Sequence, residues 1–184
     1  MNHTTSSSMP MKNVKTDEDD EKKESNRLKA NPKPTSTPAV KMDITADMKS
    51  IITVVARRVY DIMGPGYIES VYQKAMEVDL GATLKNSNPM IMIQSEVCVP
   101  YKYGQFVVGY GRADLVLTSM PNEHRPVISS VVVELKARKT KFAQGDYMQL
   151  NNYINAMKRE PSQIPYIGGL LIMFGENGVS FHDC

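Results

Sequence analysis

Val131-Val132-Val133-Glu134-Leu135-Lys136-Ala137 is the stretch from which the fold can be read. Three consecutive valines suit a strand covered on both faces, hence a central one, because a half-exposed strand alternates apolar with polar residues. Alternation then puts Val132, Glu134 and Lys136 on one face. A carboxylate buried late in such a strand is costly unless it has a partner, and Lys136, two residues on and on the same side, is one candidate. A second strand carries the same intrusion. In Arg112-Ala113-Asp114-Leu115-Val116-Leu117, Asp114 lies between apolar neighbours, and Arg112, Asp114 and Val116 are expected on one face. Taken alone, either strand is satisfied by an ordinary ion pair at a strand end.

Working outward, Ile51, Ile52, Val55, Val59 and Ile62 recur at helical spacing, which predicts a first helix over 44–63. Gly64-Pro65-Gly66 breaks it. A second helix is expected over 67–84 from Ile68, Val71, Tyr72, Ala75, Met76 and Leu80. Met90 to Val99 has strand composition, and Tyr101 to Gln105 reads as a hairpin turn into Phe106 to Tyr110. Further strands are expected over 112–118 and 127–137, then a third helix over 144–159 that Pro161 and Pro165 end. Strands over 166–174 and 179–182 close the chain. The expected order is ααββββαββ, an α/β or α+β fold with a mixed central sheet flanked by helices.

Composition limits what such a domain can be. Of 184 residues, 41% are hydrophobic and 23% charged, so collagen-like, wholly disordered and coiled-coil architectures fall away. Residues 1–40 contain no aromatic residue, four prolines and the mixed-charge run Asp17 to Glu24. Too little apolar surface can be buried there to offset ordering, which predicts a disordered tail and a domain over 41–184. The tail holds 7 of the 22 Lys/Arg and 6 of the 20 Asp/Glu, leaving 15 and 14 in the domain. A nearly neutral domain does not coat nucleic acid broadly, although local patches can still steer a polyanion. The longest apolar run, Gly168 to Gly175, is far short of the roughly 20 residues that cross a bilayer. Met1 to Met11 has no signal-peptide apolar region. The expectation is a soluble intracellular protein that does not engage membrane. Cys98 and Cys184 are too few for a disulfide framework, and with His3, His124 and His182 they show no zinc-ligand spacing.

Two more patterns bear on function. In Gly66-Tyr67-Ile68-Glu69-Ser70-Val71-Tyr72, Glu69 lies near the start of the second helix with Tyr72 one turn along the same side. An acid there is often only a dipole or capping residue, and Tyr72 suits a core position. In Gln149-Leu150-Asn151-Asn152-Tyr153, i, i+4 spacing puts Gln149 and Tyr153 on one helix face. Taken together and in order, GPGYIESVY, GYGRADLVL, VVVELKA and QLNNYI resemble the PD-(D/E)XK nuclease superfamily. The resemblance is closer to its GxxExxY branch, after the residues matching Gly66, Glu69 and Tyr72, and covers about 45–182. Ala113 stands where the superfamily's proline would be, and Asp146 where a histidine is expected in many close relatives.

The resemblance implies a restriction-endonuclease-like core with a four-stranded mixed sheet, Asp114 and the pair Glu134/Lys136 on adjacent strands, and Glu69 presented from a helix. It implies metal-dependent hydrolysis of phosphodiester bonds, in DNA rather than RNA. Asp114, Glu134, Glu69 and the Leu135 carbonyl would hold Mg²⁺ or Mn²⁺, and Lys136 would orient or activate the attacking water. Gln149 would position phosphate or water, with Tyr72 and Tyr153 in support. A divalent ion converts repulsion among convergent acids into coordination, which is why such chemistry requires them. Arg138, Lys139 and Lys141, just after the charged strand, are candidates for phosphate contacts, equally read as solvated surface as charges in a loop, and Arg112 is a candidate for balancing the acids, its plainer role being an ordinary salt bridge. The same fold also serves as a catalytically idle nucleic-acid-binding or protein-interaction module. An idle module has no need to keep the costly trio Asp114, Glu134 and Lys136.

Overall fold

Met48, Ile52, Val55 and Val59 recur at steps of three and four residues and are all buried, so α1 (Ile44–Met63) is a helix with one apolar stripe. Ile62, expected on that stripe, is 77% exposed. Gly64 ends the helix with φ 75°, a left-handed conformation that costs glycine nothing, and its N–H donates to the Tyr60 carbonyl at 2.7 Å. The next helix, α2 (Glu69–Leu84), buries Tyr72, Met76, Leu80 and Leu84. It starts two residues later than the periodicity predicts, leaving Tyr67 and Ile68 exposed in the approach.

The computed structural model describes residues 44–123, 128–138, 141–160 and 166–184. The expected tail over 1–40 lies outside them, as do His3, His124, Val127, Lys139, Pro161 and Pro165. The remaining elements are β1 (Ile91–Tyr103), β2 (Phe106–Ser119), β3 (Ser129–Ala137), α3 (Gln144–Arg159), β4 (Tyr166–Gly175) and β5 (Gly178–Asp183). All lie in the compact unit Lys41–Cys184. The strands form one sheet in the order β1-β2-β3-β4-β5. Every pairing is antiparallel except β3 with β4, which α3 connects. The α+β class and the mixed sheet are as expected. The order is ααβββαββ, however, because the two short strands expected over 106–110 and 112–118 are one continuous strand, and the sheet has five strands rather than four.

Two apolar layers sandwich the sheet. Helices α1 and α2 pack with Leu115, Leu117, Val131, Val133, Leu135, Leu170 and Ile172, whereas Leu150, Tyr153 and Ile154 of α3 pack with Val99, Ala113, Val116, Val132 and Leu171. Strand β3 is therefore covered on both sides, which explains its unbroken valines, and each fully buried aliphatic side chain contributes roughly 1.5–3 kcal/mol. No described helix is long and apolar enough to cross a membrane, and Cys98 and Cys184 are both free.

The pleat of the β1–β2 hairpin changes sides partway along. Ile91 and Ile93 on β1, and Leu115 and Leu117 on β2, face α1 and α2. Val97, Val99 and Tyr101, and their neighbour Ala113, instead join the α3 layer. Regular alternation would keep all of these odd-numbered residues on one face. The switch falls between the pairs Ser95↔Leu115 and Val97↔Ala113, where Glu96 lies opposite Asp114. Glu96 has φ 54°, a left-handed conformation costing a non-glycine residue roughly 1–2 kcal/mol. Arg112 and Val116 consequently point to opposite sides of the sheet, not to one face as alternation predicts.

Gly111 carries the continuous strand past this point. A Cβ there would overlap the rings of Tyr101 and Tyr153, whereas one at Gly109 would have its nearest neighbour at a comfortable 3.9 Å. Gly111→Ala is expected to cost about 1–3 kcal/mol by overpacking, with Gly109→Ala close to neutral. Thermal unfolding of the two variants checks this; equal melting temperatures would contradict it.

Candidate active site

Asp114 is unpaired in both ladders. The β1 register passes from Leu115 to Ala113 without it, and the β2–β3 ladder ends at Leu115↔Val133. Where β2 leaves β3, the Leu135 N–H donates to Asp114 Oδ2 at 2.6 Å. A side chain thus takes the place of a strand partner and fixes the carboxylate at the seam. Asp114 is 9% exposed.

Glu134 lies deeper, at 1% exposure. Its Oε1 accepts a hydrogen bond from Lys136 Nζ at 2.6 Å, so the same-face pair read from the strand is formed. Its Oε2 is buried and accepts none, a costly state for a carboxylate oxygen. Glu69, the first residue of α2, brings Oε1 to 3.8 Å from Lys136 Nζ. Its side chain is 41% exposed, and among the described residues no three His, Cys, Asp or Glu side chains converge closely enough to hold an ion. The cluster has two buried carboxylates, one ammonium and a third carboxylate at its edge.

Electrostatics follow from that count. Burial pushes Asp114 up to about 6, the Leu135 N–H opposes it, and Glu69 raises it further. Glu134 is pushed up to about 7 by burial and by Asp114, against the Lys136 hydrogen bond. Burial pulls the Lys136 ammonium down, but its bond to Glu134 and the charges of Glu134, Glu69 and Asp114 leave it above its ordinary value. The three directions agree, since a cluster with more carboxylates than cations binds protons tightly on every member.

The flanking residues divide into those that touch this cluster and those that support it. Tyr72 does not reach it; its hydroxyl donates to the Gly64 carbonyl at 2.7 Å and its ring stacks on Phe174 at 4.2 Å, holding the approach to Glu69. Gln149 donates to the Tyr153 hydroxyl at 2.8 Å, and the Tyr153 ring lies parallel to that of Tyr101, 6.5 Å away. Burial first, then Tyr153 and Glu134, hold the Tyr101 hydroxyl above its ordinary pKa, which ties this aromatic layer to the cluster. Arg112 does not balance Asp114 and Glu134. Its Nε pairs with Glu96 at 2.5 Å, and its side chain is 73% exposed.

Arg138 is likewise committed, donating to Asp146 Oδ1 at 2.7 Å, while Lys141 is exposed. Asp146 Oδ2 accepts the Ala143 N–H at 2.8 Å, so the residue standing in place of a histidine caps α3 and anchors Arg138. Three residues at the site escaped the sequence reading: Tyr101, Glu96 and Gln73. Only Gln73 had a signal, its i+4 spacing from Glu69.

For both buried acids the folded pKa lies above the ordinary carboxylate value of about 4. The folded chain binds the extra protons between about pH 4 and 7, so the stability this cluster adds is complete below that window and lost as pH rises through it. The melting temperature of the metal-free protein is expected to fall across this range. Glu134→Gln is expected to flatten the profile and raise the melting temperature at pH 7.5. A lowered melting temperature at pH 7.5 would mean that the Lys136 ion pair outweighs the cost of burying the charge.

No curated protein matches the chain. Among solved structures, one described as "Crystal structure of SSO0001" is similar at 19% identity and a TM-score of 0.33, over 76% of this chain and 61% of that one. The family comparison is broader in reach: a model described as the PD-(D/E)XK nuclease superfamily matches residues 46–181. That match runs from the first turn of α1 into β5, through both charged strands, and the chain belongs to the PD-(D/E)XK nuclease superfamily.

Proposed function

We propose that the chain is a metal-dependent nuclease of the GxxExxY branch that hydrolyses phosphodiester bonds in DNA. The observation that carries this reading is the buried Glu134 Oε2, which accepts no hydrogen bond beside a second buried carboxylate. An oxygen kept in that state is costly unless something positive is meant to reach it. The donor set suits a hard divalent cation: Asp114, Glu134 and the Leu135 carbonyl would hold Mg²⁺ or Mn²⁺, with Glu69 at the edge. Such an ion supplies neutralisation of charge at phosphorus and a lowered pKa for water.

The chain's own groups do the rest. The Lys136 ammonium has three N–H donors, one of them spent on Glu134 Oε1, leaving others to orient the attacking water or a phosphate oxygen. Gln149, held by Tyr153, positions phosphate or water from α3. Lys139 and the exposed Lys141 contact phosphates beyond the scissile one, while Arg138 stays with Asp146. The choice of DNA rests on the family resemblance.

Incubating the full chain with labelled single-stranded, duplex and branched DNA, and with RNA, in Mg²⁺, Mn²⁺ or chelator tests this. DNA is expected to be cut only with metal, and Glu134→Gln and Lys136→Ala each to lose at least about 100-fold in rate while remaining folded. Variants that cut as fast as the wild type would refute the site. Binding without cutting in every metal would favour the idle module instead.

A further inference from the structure

Gln73 lies one helical turn beyond Glu69 and on the same face of α2. It is 7% exposed, and its side-chain nitrogen donates twice, to Glu96 Oε1 at 2.9 Å and to the Asp114 carbonyl at 3.1 Å. A primary amide has two N–H groups, so both are used. The two acceptors are the facing residues at which the hairpin pleat changes sides. Asp114 has no partner on β1 or β3, and Glu96 is held left-handed at φ 54° with its other oxygen on Arg112. The Asp114 carbonyl is therefore held by the Gln73 side chain where a regular strand would be held by its neighbours.

The geometry points to Gln73 and Glu96 as positioning residues that fix the Asp114 main chain and thereby aim its carboxylate at the Leu135 N–H and the metal site. This rests on the metal-nuclease reading. Without the Gln73 amide, Asp114 and Glu96 are free to relax toward regular pairing, which would turn the Asp114 side chain away from the seam. Arg112 contributes only by steadying Glu96 from solvent.

Calorimetric titration of Mn²⁺ into the full chain, with kcat and KM measured on cleaved DNA, tests the assignment. Gln73→Leu is expected to weaken Mn²⁺ binding by about 10- to 100-fold and to lower kcat while leaving KM for DNA unchanged. Glu96→Ala is expected to do the same. Glu96→Gln keeps an acceptor for the Gln73 amide and is expected to bind Mn²⁺ closer to wild type than either. If Gln73→Leu does not fold, Glu96→Ala decides the matter, because that side chain is 42% exposed. Wild-type affinity in a variant that has merely lost melting temperature would reduce the strut to a structural role and overturn the proposal. Glu96→Gln binding as poorly as Asp114→Asn would make Glu96 a ligand and overturn it too. A wild type that binds no Mn²⁺ would remove the nuclease reading and the strut together, whereas wild-type binding with unaffected variants removes the strut alone.

Discussion

Beyond Leu115 and Val133 the β2–β3 ladder stops, and the Leu135 N–H is taken by the carboxylate of Asp114. That hydrogen bond does two jobs. It satisfies a buried backbone donor that has lost its strand partner, and it fixes an acid at the seam between two central strands, beside Glu134 and Lys136. The pleat change opposite Glu96, the two bonds from Gln73 and the close approach of Tyr101 to Gly111 all belong to the same local departure from regular sheet. A hairpin that kept its alternation would present Asp114 in the ordinary way and pair its backbone with Glu96.

The departure costs stability. A left-handed glutamate, a buried carboxylate oxygen without a donor and two acids held above their ordinary pKa oppose folding, whereas the apolar layers on both faces of β3 supply the surplus that tolerates them. Strain and unpaired charge gathered at one point of an otherwise well-packed sheet are what a reactive site requires. The same reasoning separates the two buried acids from an acid paired at the surface. Asp79 lies in a two-pronged bond with Arg58 on the surface, and its carboxyl is lowered, first by that bond. Asp114 and Glu134 move the other way.

Much of this was legible in the residues themselves. Three valines followed by charge announced a central strand with a buried acid, and the ion pair of Glu134 with Lys136 that the strand alone suggests is formed; only the four motifs taken together pointed beyond that pair. The helical stripes of α1 and α2 came through, with errors at Ile62, Ile68 and Val71, whose apolar side chains fit the period yet face outward. What could not be read depends on contacts distant in the chain. Gly111 looks like a strand break, but it is the place where Tyr101 and Tyr153 need room. Glu96 has no local feature marking a left-handed backbone. Gln73 has only its i+4 spacing from Glu69 to mark it until α2 is laid against the seam, Arg138 looks available for phosphate until Asp146 occupies it, and Arg112 for balancing the acids until Glu96 pairs with it.

The central claim is that Asp114 and Glu134 form a proton-holding site built for a divalent cation. Because burial pushes Asp114 up to about 6 and Glu134 up to about 7, the pair is partly protonated at pH 6.5, and a cation that binds there displaces that proton. Calorimetric titration of Mn²⁺ at pH 6.5, repeated in buffers of different ionisation enthalpy, measures that displacement directly. The account predicts saturable binding with net proton release, and release that shrinks as pH rises above about 7. Binding whose enthalpy is independent of buffer, or no binding at all, would contradict it.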